Sequence, residues 1–190
     1  MTALTSHRPV VLLGALHLSQ RQHTIPNAVA FQLGWWACVL GGSWLAMAVM
    51  PAVVALHLNA VPDKRTEFLF LLQCTALGFI CDMALISAGI LETGYFLPPL
   101  WLTSLWILFG TTVGYALRFF HDRLALCIAG GAVFAPTSYF GGAKLADVTL
   151  LEPIWLALLI ISLMWAMMFP LLIRLHALNK KRFSKKALTH

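Results

Sequence analysis

The apolar residues of this chain come in blocks long enough to cross a lipid bilayer, and that limits its fold more than any other feature. Phe68 to Ile90, Pro98 to Ala116 and Ile154 to Ile173 each approach the ~20 residues that a ~30 Å hydrocarbon core demands of a helix. Leu124 to Tyr139 is shorter, at 16 residues, and runs into APTSYFGG, where Pro136 and the Gly141-Gly142 pair loosen a helix. Asn27 to Leu58 holds 32 residues, with LGGS at 40 to 43 as its only break. Two full spans need about 40 residues. The block is therefore either two short, tilted helices or a re-entrant hairpin. Two short spans fit better, because a lipid-exposed turn at mid-depth leaves backbone groups unpaired. Composition agrees with a membrane protein: 60% of the residues are hydrophobic and 11% charged, against roughly a quarter charged in a soluble domain.

Charge placement orients such a chain. With six crossings and the amino terminus inside, 12 basic residues lie on the cytoplasmic side and only Lys144 lies outside, a positive-inside bias. The expected architecture is all-α: a polytopic transmembrane helical bundle of six spans, the first two short, with both termini cytoplasmic. It divides into an amino-terminal tail (1–26), a transmembrane domain (27–176) and a basic cytoplasmic tail (177–190). The net charge of +6 serves topology and gives no reason to expect nucleic acid as a partner. NKKRFSKK at 179 to 186 is placed to touch anionic lipid headgroups. In the first 26 residues, VVLLGALHL is too short to span and no signal-peptide cleavage site follows it. This tail is an interfacial helix, a disordered segment, or the product of a mis-chosen start codon.

Motifs for soluble chemistry are absent. There is no Gly-rich phosphate loop, no H-E-x-x-H and no G-x-S-x-G. Cys38, Cys74, Cys81 and Cys127 all fall within spans and form no C-x-x-C pair, so they are expected to stay reduced. Neither a metal nor a cofactor is implied. His57 and His121 lie near the inner surface without partners at ligand spacing and read as interfacial histidines. The pairs Trp35-Trp36 and Gly110-x-x-x-Gly114 read as packing.

One residue stands out. Asp82, in GFICDMALISAGI, is an acid inside an otherwise lipid-soluble run. On its helical face lie Thr75, Gly78 and Gly89, a small and polar stripe that faces protein rather than lipid. At 1.5 Å per residue it lies ~24 Å from the cytoplasmic edge, in the outer half of the core. The same arithmetic brings Ser104 to ~21 Å, with Trp101 one turn higher, and Pro136, Thr137, Ser138 and Tyr139 to ~18–22 Å. Asp82, Trp101, Ser104, Pro136, Thr137, Ser138 and Tyr139 are therefore the candidate intramembrane polar pocket. A helix broken at Pro136 would also free carbonyls there. Asp82 is either a structural acid capped by the Ser104 or Tyr139 hydroxyl, or part of a site for binding or proton exchange.

The stretches FQLGWWACVLGG (31–42), GFICDMALISAGIL (78–91), PPLWLTSLWILFGTTV (98–113) and GAVFAPTSYFGG (131–142) resemble, in this order, a bacterial inner-membrane family catalogued as domain of unknown function 2878. The resemblance covers roughly Asn27 to His176. Ala135 departs from it, standing where the family pattern has Gly. It implies a multi-pass protein of the bacterial inner membrane with no established activity. Family members occur near genes for lipid-modifying enzymes of the cyclopropane-synthase type, which implies membrane lipid and such enzymes as partners.

Three function classes follow: an accessory or binding component of membrane-lipid modification, a small transporter or flippase-like protein, and an intramembrane enzyme using Asp82. A transporter would favour internal repeats, and no repeat is visible. An enzyme needs several converging groups, and within the membrane only Asp82 is at hand with hydroxyls around it. The lipid-associated role is the leading expectation. Substrate and oligomeric state are not legible.

Overall fold

The computed structural model describes the backbone of residues 8–187 and the side chains of residues 24–182. The expectations for residues 1–7 and 188–190 lie outside the described residues. The chain forms α1 (Arg8–Ala60), α2 (Lys64–Ser87), β1 (Leu91–Glu92), α3 (Leu100–Val113), a 3-10 turn (Arg118–Phe120), α4 (Leu124–Leu145), β2 (Thr149–Leu150) and α5 (Ile154–Ala187). Four helices are long and apolar enough to cross a membrane: Thr24–Ala60 of α1, α2, α4, and Ile154–Arg182 of α5. The architecture is all-α, and its four long apolar helices fit a membrane protein. Six helices of spanning length are not present among the described residues, because α3 has only 14 residues, about 21 Å of helix.

The long first block resolves at Gly42. Its φ of 59° and ψ of −158° interrupt α1, in a region of backbone space open essentially to glycine alone. The chain turns back there. Asn27 Nδ2 donates to the Thr111 carbonyl at 3.0 Å, and the Ala116 amide donates to Asn27 Oδ1 at 3.4 Å. Thirty residues later, His57 lies edge-on to Tyr115 at 5.2 Å between ring centroids. A straight helix would hold residues 27 and 57 ~45 Å apart, yet both reach the same turn. The two arms therefore form a hairpin, and Ser43 at its tip lies beside residues 95–100 at the far end of α3.

α3 is the central helix. From Trp101 to Leu117 no residue is exposed. α1 packs along one side of it, α2 along another, and α5 reaches it from the side where α4 and α5 pair. A helix wrapped by other helices need not match the bilayer thickness, since its backbone and ends meet protein. The antiparallel ribbon of Leu91–Glu92 with Thr149–Leu150 ties the α2–α3 connection to the α4–α5 connection, and this end is called the ribbon end below. The opposite end carries Lys64, Arg65, Arg118 and Arg123 and is called the basic end.

Two expectations about helix ends are corrected. α2 stops at Ser87 rather than Ile90. Gly89 takes a φ of 68°, the Gly89 amide bonds the Ile86 carbonyl at 3.0 Å and the Ile90 amide bonds the Leu85 carbonyl at 2.9 Å, which is a glycine-terminated Schellman end. Gly89 thus lies past the helix and off the Asp82 face. Nor does Pro136 break its helix: α4 runs unbroken for 22 residues, from Leu124 to Leu145. Proline deprives the carbonyl four residues earlier of its donor. That carbonyl, Ala132, receives the Ser162 hydroxyl of α5 at 2.8 Å instead, so the freed group is satisfied by a neighbouring helix. At the start of α2, Asp63 accepts from the Thr66 amide at 3.1 Å and from its hydroxyl, which holds the Asp63 carboxyl below its usual range. The four cysteines are free.

Spin labels at Val29 and Leu56, both exposed, test the hairpin by dipolar spectroscopy. A continuous helix would separate these positions by ~40 Å. The hairpin predicts a far shorter distance, and Gly42→Ala should broaden or lengthen it while costing about 1–3 kcal/mol of stability.

Candidate functional site

Asp82 has no exposed surface. Its carboxyl accepts two short hydrogen bonds: Tyr139 OH donates to Oδ1 at 2.6 Å, and Trp106 Nε1 donates to Oδ2 at 2.6 Å. An indole N–H only donates, and a carboxyl is the richest acceptor among side chains, so the pairing satisfies all three groups. It also joins α2, α3 and α4 through one residue. The Trp106 ring stacks on Trp165 of α5, 4.7 Å between centroids and 8° from parallel, which brings a fourth helix into the assembly. One turn before Asp82, Gly78 makes room for this: a methyl group there would run into the Trp106 ring.

The seven residues of the candidate pocket do not all converge. Asp82 and Tyr139 are bonded. Ser104 is fully buried, but its hydroxyl meets no hydrogen-bond partner among the described residues. Pro136 is buried inside α4. The exposed Thr137 turns back to its own helix at the Val133 carbonyl, 2.7 Å away. Ser138 accepts from Trp35 Nε1 of α1 at 3.2 Å. Trp101, Thr137, Ser138 and Tyr139 line a common space, whereas Asp82 and Ser104 do not. Trp106, not Ser104, is the α3 partner of Asp82. Depth arithmetic put α3 at the right level, but a search for hydroxyls passed over an indole two residues further on, whose long side chain reaches a full turn along the helix.

The common space is a cleft of about 750 Å³ between α1 and α4, within the ~300–1,000 Å³ range of small-molecule sites. Its walls are apolar and aromatic. Phe31, Trp35 and Trp36 come from α1, Phe109 from α3, Phe134 from α4 and Phe169 from α5. The Trp35–Ser138 hydrogen bond bridges the two walls. Tyr139 belongs to the lining and is the donor to Asp82, so the acid sits directly behind the wall. Trp35 and Trp36, read from sequence as packing residues, are in fact lining residues.

A second polar cluster lies at the basic end. Glu67, in the first turn of α2, is 2% exposed. His57 Nε2 of α1 lies 3.2 Å from its Oε1, and His176 Nε2 of α5 lies 3.5 Å from its Oε2. One expectation is corrected here, since Asp82 is not alone as a buried acid; His57, read as an interfacial histidine, faces Glu67. The sequence signal was weak, since Glu67 directly follows a run of charges that reads as a solvated helix start. No group of three ligating side chains among the described residues is arranged to hold a metal ion.

The Asp82 geometry predicts a graded set of variants. Asp82→Leu orphans the Trp106 N–H and the Tyr139 O–H, at about 1–3 kcal/mol for each buried donor. Asp82→Asn can accept from Trp106 and donate to Tyr139, so it should lie close to wild type. Trp106→Phe and Tyr139→Phe should each fall between. Thermal unfolding in detergent or nanodiscs reads this order, and an Asn variant as unstable as the Leu variant would contradict it.

The search of curated proteins and the search of solved structures returned no match. The model of one protein family, described as a protein of unknown function (DUF2878), matches residues 24–171. That stretch takes in the returning hairpin, the Asp82 bridge, the whole aromatic cleft and α5 almost to the buried histidine cluster, and the chain accordingly belongs to the DUF2878 family.

Proposed function

We propose that this protein is a multi-pass protein of the bacterial inner membrane that holds the apolar chain of a membrane lipid in the cleft between α1 and α4, as a binding or accessory component of lipid modification. The observation that carries this reading is the cleft lining: Phe31, Trp35, Trp36, Phe109, Phe134 and Phe169 face one space. An aromatic wall offers dispersion contact and no charge, which suits a methylene chain and no polar metabolite.

The threading that goes with it has six crossings and both termini cytoplasmic. The two arms of α1 and the short α3 count as crossings, and the basic end faces the cytoplasm. The 12-to-1 distribution of basic residues supports this orientation. An enzymatic role for Asp82 is less well supported, because both carboxyl oxygens are already engaged and none of the side chain is exposed to the cleft.

A phosphatidylethanolamine carrying a diazirine in its acyl chain, incorporated into nanodiscs with the purified protein, tests the reading. After irradiation, adducts should map to the α1 and α4 walls, at Phe31, Trp35 and Phe134. Ala28→Trp, which fills the cleft from an exposed position on α1, should lower those adducts about tenfold, equivalent to about 1.4 kcal/mol of binding. Labelling confined to outward residues such as Leu159 and Leu163 and untouched by Ala28→Trp would overturn it.

A further inference from the structure

The Glu67 cluster plays no part in lining the cleft, and its chemistry is incomplete as a set of neutral groups. The Glu67 side chain is 3% exposed, with His57 at 6% and His176 at 1%. A carboxylate so buried is not tolerated without a compensating charge. Its nearest cationic candidates are the two imidazoles, which carry charge only when protonated. His176 presents the complementary problem: among the described residues its Nδ1 meets no hydrogen-bond partner, and its Nε2 meets only the long 3.5 Å contact to Glu67. One proton on the imidazole side answers the charge problem, because an imidazolium facing Glu67 compensates the carboxylate and turns the Nε2 contact into a charge-assisted one.

Other charged and titratable groups surround the cluster, with the fixed cations Lys180 and Arg118 both acting on His121. From α1 it is faced by His57, and from the cap of α2 by Asp63. From the segment after α3 it is faced by Tyr115 and His121, and from α5 by His176 and Lys180. Lys180 Nζ lies over the Tyr115 ring, 5.8 Å from its centroid. Burial pushes the Tyr115 phenol up, with the Glu67 charge adding to it, so Tyr115 stays neutral. Burial pushes the His121 imidazole down, and its Nε2 bonds the Val113 carbonyl at 2.8 Å.

We propose that Glu67, His57 and His176 form a buried proton-binding site at the basic end, in which a proton held as imidazolium against the Glu67 carboxylate locks residues 113–121 in place. That segment touches the cluster at three points. The His176 ring lies against Gly114, where a methyl group would have no room. Tyr115 packs edge-on to His57, and His121 lies 5.6 Å from His176 between ring centroids. From the same segment, Ala116, Leu117 and Phe120 line the cleft. Proton occupancy thereby sets the shape of the basic end of the cleft. This last step rests on the lipid reading above; the proton site itself does not.

The chain has three glutamates, Glu67, Glu92 and Glu152, so the double variant Glu92→Gln/Glu152→Gln leaves Glu67 as the sole carboxyl carbon visible after [13Cδ]glutamate labelling. In nanodiscs at neutral pH this carbon should report an ionised carboxylate, and [15N]histidine spectra should contain an imidazolium that His57→Gln/His176→Gln removes. Amide exchange of residues 113–121, corrected for intrinsic rates, should lose protection at least tenfold on alkaline titration of the wild type and stay flat in Glu67→Gln. A neutral carboxylic acid at Glu67, the absence of that imidazolium, or the same exchange profile in Glu67→Gln as in wild type would each overturn the proposal. Should Glu67→Gln fail to fold, the carbon and nitrogen signals decide alone. Loss of lipid photolabelling with these signals intact would sink the lipid reading and leave the proton site standing.

Discussion

A carboxyl group with no exposed surface must find its hydrogen bonds within the protein, and in an apolar bundle that requirement organises everything around it. Asp82 receives the Tyr139 hydroxyl on one oxygen and the Trp106 indole on the other. The indole stacks on Trp165, and Gly78 leaves the space that the ring occupies. One acid thus specifies how α2, α3, α4 and α5 are set against one another. In hydrocarbon, helices gain little from hiding apolar surface, because lipid tails are equally apolar, so directional polar contacts and close packing carry a larger share of specificity. The cleft follows from the same arrangement, since Tyr139 is drawn inward to Asp82 while its neighbours on α4 remain at the wall.

The rest of the architecture shows how a tight turn, a proline and a short helix are accommodated. The hairpin of α1 turns at Gly42 beside the residues that precede α3. Pro136 leaves the Ala132 carbonyl without its helical donor, and Ser162 of the adjoining helix supplies one. α3, too short by itself, is covered from Trp101 to Leu117. The freed Ala132 carbonyl and the short α3 are thus matched by protein, as the absence of water in the bilayer core requires.

Much of this was legible in the sequence and some of it was not, for identifiable reasons. Block length and hydropathy identified a helical membrane protein, and rise per residue brought Asp82 and Tyr139 to one level from positions 57 residues apart. Depth arithmetic is one-dimensional, however, and carries no information on rotation about each helix axis. That is why Ser104 was grouped with Asp82 although Trp106 meets it, and why Trp35 and Trp36 read as packing although they line the cleft. Proline was over-read as a break and glycine under-read: Pro136 is accommodated within α4, whereas Gly89, placed on the Asp82 face, lies past the end of α2. Glu67 was hidden by its sequence neighbours Asp63, Lys64 and Arg65, since burial of a helix's first turn depends on what the distant His57 and His176 bring to it.

The central claim is that Asp82 points inward and holds the wall of an apolar cleft open to a lipid chain. An experimental structure in nanodiscs of native lipid tests it most directly. The account predicts the Asp82 carboxyl within hydrogen-bond distance of both Tyr139 and Trp106, and elongated density between α1 and α4 alongside Phe31, Trp35 and Phe134. An Asp82 carboxyl turned towards lipid, or α1 packed onto α4 with no space between them, would contradict it.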